Sequence, residues 1–197
     1  MKTLVLDCSF YPMATIICDE QIVASKISEN QRSCDNYMGL IDECLTSAKL
    51  HIDDINEIAV NLGPGSFTGL RVSVSIAKAF GFGNDIKFKA FTSFDYLDEK
   101  DFVLVDAFSN FVYIQEPGKK ADCVDVKDLS KSINYKTTSK NLEDKLLNLG
   151  YNIELRQPKD IVDVLKAAKE VTAKELMPLY LRKSQAEIQR ESRGLKI

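Results

Sequence analysis

A chain of 197 residues, 45% hydrophobic and 28% charged, is long enough to bury one large core or two smaller ones, and its composition is neither that of a disordered segment nor that of a repeat array. A formal charge of −3 and a pI near 5.3 argue against a stand-alone nucleic-acid binder, because displacing counterions from phosphates needs a basic face; contact with RNA is expected only through a partner. Five cysteines, Cys8, Cys18, Cys34, Cys44 and Cys123, contain no Cys-x-x-Cys and leave one over however they pair, so reduced thiols are expected. Leu4-Val5-Leu6 is cut by Asp7 before it forms a signal-peptide core, and no apolar run approaches a membrane span. A cytoplasmic protein with no membrane attachment is the expectation.

Three short β-rich runs come first, at residues 3–8, 14–18 and 22–27, separated by Phe10-Tyr11-Pro12 and by Asp19-Glu20; they read as an antiparallel meander. A helix follows from about Cys34 to Ala48, with apolar Tyr37, Met38, Ile41, Cys44, Leu45 and Ala48 recurring at three and four residues. Ile58-Ala59-Val60-Asn61-Leu62 is apolar with few breaks, as a strand buried on both faces is, and glycine and proline stop it. The stretch Gly63-Pro64-Gly65-Ser66-Phe67-Thr68-Gly69-Leu70-Arg71 leads into a second helix that starts at Gly69 or Leu70, with Thr68 as N-cap, and ends at Gly81 or Gly83. A strand at 88–91 and a short helix at 93–97 complete the order β-β-β-α-β-α-β. That is the order of the lobe shared by actin, hexokinases and Hsp70 chaperones, an analogy that licenses a fold and not an activity. The charged run Asp98-Glu99-Lys100-Asp101 marks a boundary. Beyond it, 102–106 and 111–115 read as paired strands opening a second lobe, 141–149 and 160–171 have helical spacing, and 151–155 is a strand between them.

A strand, a glycine loop and a helix N-terminus together make an anion-binding geometry, since unpaired N–H groups and the helix dipole converge there. The spacing matches neither common phosphate loop. Gly65 and Gly69 enclose three residues and run into Leu70-Arg71, where Walker A needs four and then Gly-Lys-Ser/Thr; Gly63, Gly65 and Gly69 are also one residue out of register with the dinucleotide fingerprint. Gly-Pro-Gly-Ser-Phe-Thr-Gly-Leu-Arg-Val after a strand instead resembles the signature of the TsaB family of bacterial tRNA threonylcarbamoyladenosine biosynthesis proteins. Leu4 to Ser9 is similar to that family's opening strand with its Asp-x-Ser. Leu40-Ile41-Asp42-Glu43-Cys44-Leu45 is similar to its first helix, and Pro178-Leu179-Tyr180-Leu181-Arg182 to its C-terminal Tyr-Leu-Arg. The resemblance covers the first hundred residues firmly and the rest thinly, the second lobe being shorter than the family's usual one.

The resemblance implies an α/β, two-lobed actin-like (ASKHA, ribonuclease H-like) fold, each lobe a mixed sheet with helices. The lobes would be 1–98 and a smaller 99–197, whose terminal helix is a candidate to pack back on the first. It also implies a non-catalytic role: binding and activating TsaD, which transfers a threonylcarbamoyl group to the adenosine beside the anticodon. The ATPase TsaE would join them, tRNA would be reached only through the complex, and the chain alone would homodimerise. In relatives of this kind the first two helices are the docking surface, which points to Tyr37, Met38, Ile41 and Leu45 on the first helix and Leu70, Ser73, Val74 and Ala77 on the second. The second helix carries three stripes: Arg71, Ser75 and Lys78 form one polar strip, Val72, Ile76, Ala79 and Phe80 a bulky stripe, and Leu70, Ser73, Val74, Ala77 and Gly81 a small-residue stripe. The bulky stripe is expected against the sheet and the small one against a neighbouring helix or a partner.

Other polar residues carry less. Asp7-Cys8-Ser9 stands where sugar kinases of this fold keep a phosphate loop of the form Asp-x-Gly-Ser/Thr, but Ser9 takes the glycine position and holds the backbone further from a phosphate. Asp7, Ser9, Gly65, Ser66 and Thr68 remain candidates for an anion or nucleotide loop, against the simpler reading that these side chains cap a hairpin and a helix. The rival function is therefore a small ATP-dependent phosphotransferase of the same fold. His51 is the only histidine, so neither a metal site nor a Ser-His-Asp triad is expected; paired metal-binding histidines, as TsaD carries, are missing from the first helix, and Ser33 stands where relatives often have one. No cofactor is expected. The C-terminal stretch from Leu181 to Arg193 reads as a solvated tail, with Arg193 and Lys196 giving it a slightly basic end.

Overall fold

The computed structural model describes residues 1–29, 34–107 and 109–182; the Ser33 position and the tail from Lys183 onward lie outside them. Strands β1 (Lys2–Asp7), β2 (Met13–Cys18) and β3 (Gln21–Ile27) form the expected antiparallel meander. A 3-10 turn at Cys34–Asn36 leads into helix α1 (Tyr37–Ala48), then come β4 (Glu57–Asn61), helix α2 (Phe67–Gly81) and β5 (Lys87–Phe91). β4 pairs parallel with both β1 and β5. Side chains alternate across these strands, so Leu4, Leu6, Ile58 and Val60 point to the face covered by α1 and α2, whereas Val5 and Ala59 point to the other. Burial on both faces explains why β1 and β4 are nearly continuous apolar runs.

The second sheet comprises β6 (Phe102–Asp106), β7 (Phe111–Gln115), β8 (Asp122–Asp125), β9 (Asn134–Thr137) and β10 (Asn152–Leu155), in the order β10-β9-β6-β7-β8. Helix α3 (Lys140–Asn148) covers one face through Leu142 and Leu146, its N-terminus capped by Ser139. The chain then returns to the first sheet. Helix α4 (Ile161–Ala167) packs Ile161, Val164 and Leu165 on the face holding Val5 and Ala59, and β11 (Lys169–Val171) pairs antiparallel with β5 at the sheet edge. The first sheet is thus six-stranded, in the order β11-β5-β4-β1-β2-β3. Beyond β11, Leu176 is buried in the first core, the Leu179 N–H donates to the Leu62 carbonyl at 2.7 Å, and Tyr180 stacks on Phe67 at 4.7 Å.

Three expected elements differ. Residues 93–97 are consecutive turns, not a helix: Asp95 accepts from the Thr92 N–H at 2.6 Å, and Phe94 and Leu97 are drawn onto Val103 and Val105 of β6. The helical stretch read at 160–171 stops at Ala167, because Lys169–Val171 is taken into the sheet. Helix α2 is capped by Ser66, whose side chain accepts from the Gly69 N–H at 3.2 Å; Thr68 lies inside the first turn and is exposed. Among the described residues no helix is long and apolar enough to cross a membrane.

Candidate functional site

Two places gather the residues of interest. The first is a cleft of about 730 Å³ between the two sheets, lined on one side by Asp7, Ser9, Tyr11, Ser93 and Tyr96 and on the other by Asp106 and residues 137–141 at the junction of β9 and α3. Asp7 ends β1 and is buried; its Oδ1 accepts from the Ser9 N–H at 2.9 Å and from Ser9 Oγ at 2.7 Å. Its Oδ2 accepts from Asn61 Nδ2 and from the Tyr96 hydroxyl, each at 2.9 Å. Asn61, at the end of β4, also donates to Ser93 Oγ at 3.2 Å and accepts from the Gly63 N–H at 2.8 Å, while Ser93 Oγ donates to the Pro64 carbonyl. Burial pushes the Tyr96 hydroxyl well above its ordinary pKa, and the neighbouring Asp7 carboxylate adds to it. Among the described residues every buried side-chain nitrogen or oxygen has a partner. The network therefore fastens the ends of β1 and β4 and the 93–97 turns into one floor.

The glycines of the loop have a packing role. A Cβ on Gly69 would collide with the Cys8 carbonyl oxygen, and one on Gly65 would lie 2.8 Å from Ser9 Cα. Glycine is required so that the start of α2 can rest directly on the backbone of Cys8-Ser9, and the Ser66 N–H donates to the Ser9 carbonyl at 2.6 Å. Of the five loop candidates, the structure brings Asp7 and Ser9 into the cleft lining, while Gly65, Ser66 and Thr68 are not part of it. Asn61, Ser93 and Tyr96 were not singled out from sequence; a lone asparagine in an apolar strand was the one available signal, since a buried amide needs partners.

The second place is a groove of about 640 Å³ between α1 and the C-terminal end of α2, lined by Met38, Ile41, Leu45, Leu50 and Phe80 with Asp42, Lys49 and Asp53 at its margin. Here the helix faces must be reassigned. Leu70, Ser73, Val74 and Ala77 are buried against the sheet, with Ser73 and Ala77 at 0% exposure, and Tyr37, Ile41 and Leu45 of α1 are buried as well. Among the residues expected on the docking surface, Met38 alone is exposed, at 52%. The bulky residues Val72, Ile76 and Phe80 are only partly buried and sit at the edge of the core. The small stripe faces inward because α2 lies close to the sheet: a Cβ on Gly81 would strike the Phe88 ring, and Ala77 leaves no room for more than a methyl. Phe82, just past α2, is 88% exposed and was missed, because a residue between two glycines belongs to no periodic pattern.

His51 sits after α1, where its backbone N–H donates to Asp54 Oδ2 at 2.9 Å, and the described residues hold no group of three or more His, Cys, Asp or Glu arranged for a metal.

Two mixed sheets joined by a cleft, the first built as β-β-β-α-β-α-β and closed by a returning helix, define a two-lobed actin-like, ribonuclease H-like fold. A solved structure titled an uncharacterized protein with similarity to peptidase YEAZ, from Pseudomonas aeruginosa, matches with a TM-score of 0.70 at 15% identity, covering 92% of this chain and 99% of that one. Residues 22–103 match the family model TsaD, tRNA N6-adenosine threonylcarbamoyltransferase. In sequence the chain is 31% identical over 86 residues to the tRNA threonylcarbamoyladenosine biosynthesis protein TsaB of Haemophilus influenzae, covering 39% of this chain and 36% of that protein. It is 27% identical over 99 residues to the TsaB of Buchnera aphidicola, covering 49% of this chain and 47% of the relative. The chain is similar to TsaB/YeaZ proteins and, over residues 22–103, to the TsaD family model, and its matches span less than half the length of these curated relatives.

Proposed function

We propose that this chain serves tRNA threonylcarbamoyladenosine biosynthesis as a non-catalytic subunit, docking a TsaD-type transferase through the α1–α2 groove and supporting its transfer of the threonylcarbamoyl group to tRNA. The observation that carries the reading is the groove itself, with Met38 exposed and Phe80 half-buried in its lining, and Phe82 exposed just past the end of α2. Apolar surface of this kind is stabilised by cover. The related proteins' names support the pathway, and the family-model match over 22–103 supports a transferase-like partner, since two chains with the same first lobe can present the same two helices to each other. The same logic accounts for self-association when the partner is absent. An ATPase of the TsaE kind joining the pair, and tRNA held only through the assembly, complete the proposal. The net acidic charge and the fully partnered Asp7 network support a supporting rather than a catalytic role.

The experiment mixes the chain with a TsaD-type transferase and follows complex formation by light scattering. Met38→Arg combined with Phe82→Asp is expected to leave thermal unfolding unchanged and to weaken the complex by at least about tenfold, since charged groups would replace exposed apolar anchors. Undiminished binding by this variant overturns the docking surface. Turnover of ATP by the chain alone, abolished by Asp7→Ala, overturns the non-catalytic reading in favour of a phosphotransferase working in the cleft.

A further inference from the structure

Two thiols far apart in sequence meet where the first strand ends and the first helix begins. Cys8 directly follows β1, and Cys34 opens the 3-10 turn ahead of α1; their Sγ atoms lie 3.3 Å apart. Both are free thiols, whereas Cys44 is engaged elsewhere, donating to the Ala14 carbonyl at 3.2 Å. Closing from 3.3 Å to the roughly 2.05 Å of a disulfide needs an approach of about 1.2 Å, within reach of small rotations of two side chains. Accessibility is divided between them: Cys8 is 1% exposed, and Cys34 is partly exposed.

We propose that Cys8 and Cys34 form a reversible redox-modification site, oxidised by a small-molecule disulfide of the glutathione type, with Cys34 the thiol that reacts first and Cys8 the one that resolves the mixed disulfide. In the first step Cys34 gives up its proton to solvent and its thiolate attacks one sulfur of the oxidant; the oxidant's S–S bond breaks and one small thiol leaves, taking up a proton. In the second, Cys8 loses its proton and attacks Cys34 Sγ, the mixed disulfide breaks, and the second small thiol leaves. Two protein thiols are oxidised to one disulfide while one small disulfide is reduced to two thiols. Burial pushes the Cys8 thiol up, and its contact with Cys34 and the Asp7 charge push it further, which suits it to the second step and not to first attack on the oxidant.

The bond would fasten the start of α1 to a segment that already carries two other structures. The Cys8 carbonyl is the surface on which Gly69 of α2 rests, and Ser9 is held by Asp7 in the cleft floor.

The test incubates the full chain under native conditions across a series of oxidised-to-reduced glutathione ratios, quenches with acid, alkylates, and maps peptides by mass. The expected product has lost the mass of two hydrogen atoms, joins the Cys8 and Cys34 peptides, leaves Cys18, Cys44 and Cys123 alkylated, and reverts with dithiothreitol. Cys8→Ser is expected to accumulate glutathione on Cys34, and Cys34→Ser to take up none at Cys8. The same pairing in urea should need about tenfold more oxidant, because unfolding removes the juxtaposition. Three results overturn the proposal: Cys8 and Cys34 alkylated while Cys18 or Cys123 carries glutathione, a stable glutathione adduct on Cys34 of the unsubstituted chain, or identical pairing in urea and native buffer.

Discussion

Ala77→Arg is the sharpest test of how α2 sits. Ala77 has 0% exposure and lies in the first core with Val74, Leu4 and Ile58. An arginine there must add a long side chain where there is space for a methyl, and overpacking of that kind costs about 1–3 kcal/mol by itself. The guanidinium is also taken out of water without a partner, an effective penalty of several kcal/mol. Together they reach roughly 5 kcal/mol or more, against a total stability of about 5–15 kcal/mol for a domain. The variant should therefore be mostly unfolded or insoluble at physiological temperature. Circular dichroism against temperature and urea titration provide the assay, with Ser75→Arg, an exposed position on the same helix, as the control that should shift the midpoint little. If Ala77→Arg melts within a degree or two of the unsubstituted chain, the small-residue stripe is not core and α2 must be rotated about its axis from the orientation described.

Two further outcomes follow from the cleft floor. Asp7→Ala removes the acceptor for Ser9, Asn61 and Tyr96 at once, and should lower stability by about 2–4 kcal/mol in urea titration, whereas Asp7→Asn, which keeps a carbonyl acceptor, should cost less. Because burial and Asp7 raise the Tyr96 hydroxyl, its protonated form is favoured on folding. Below the unfolded tyrosine's pKa of about 10 this stabilisation is complete, and it is lost as the pH rises above that value. The urea midpoint should fall from about pH 10 upward, less steeply in Tyr96→Phe, and equal slopes in the two proteins would refute the assignment.

The first sheet was legible because its strands carry their burial in their composition: runs such as Leu4-Val5-Leu6 and Ile58-Ala59-Val60 are apolar on both faces. The existence of α2 was equally plain, but its orientation was not. Two of its three stripes are apolar, and periodicity cannot say which one meets the sheet; the choice rests on how near the helix lies, which the contacts of Gly69 and Gly81 decide. Strands β8 and β9 escaped notice for different reasons: β8 holds no fully buried residue, and the burial of β9 depends on tertiary partners. Lys136, in the middle of β9, is buried by an ion pair with Glu154 on β10, a residue that no local pattern connects to it. The cleft floor was half legible: Asp7 and Ser9 stood out beside a strand end, while Tyr96 reaches Asp7 across 89 positions of sequence.

The position of β11 has a consequence for the order in which the protein becomes a protein. Lys169–Val171 completes the edge of the first sheet beside β5, and Ile161, Val164 and Leu165 cover a face whose strands were made long before. While a ribosome has delivered only the first hundred residues, β5 is an unpaired edge and Val5, Ala59 and Phe91 are uncovered. An open strand edge beside bare apolar surface invites pairing with another nascent chain. Lys87 and Lys89 lie on that edge strand, and lysines on an edge discourage such pairing. Lys87 is the exposed charge of the two, whereas Lys89 lies 3.6 Å from Glu57 of β4, so the edge that waits for Lys169–Val171 carries a charge in solvent beside one already engaged within the sheet.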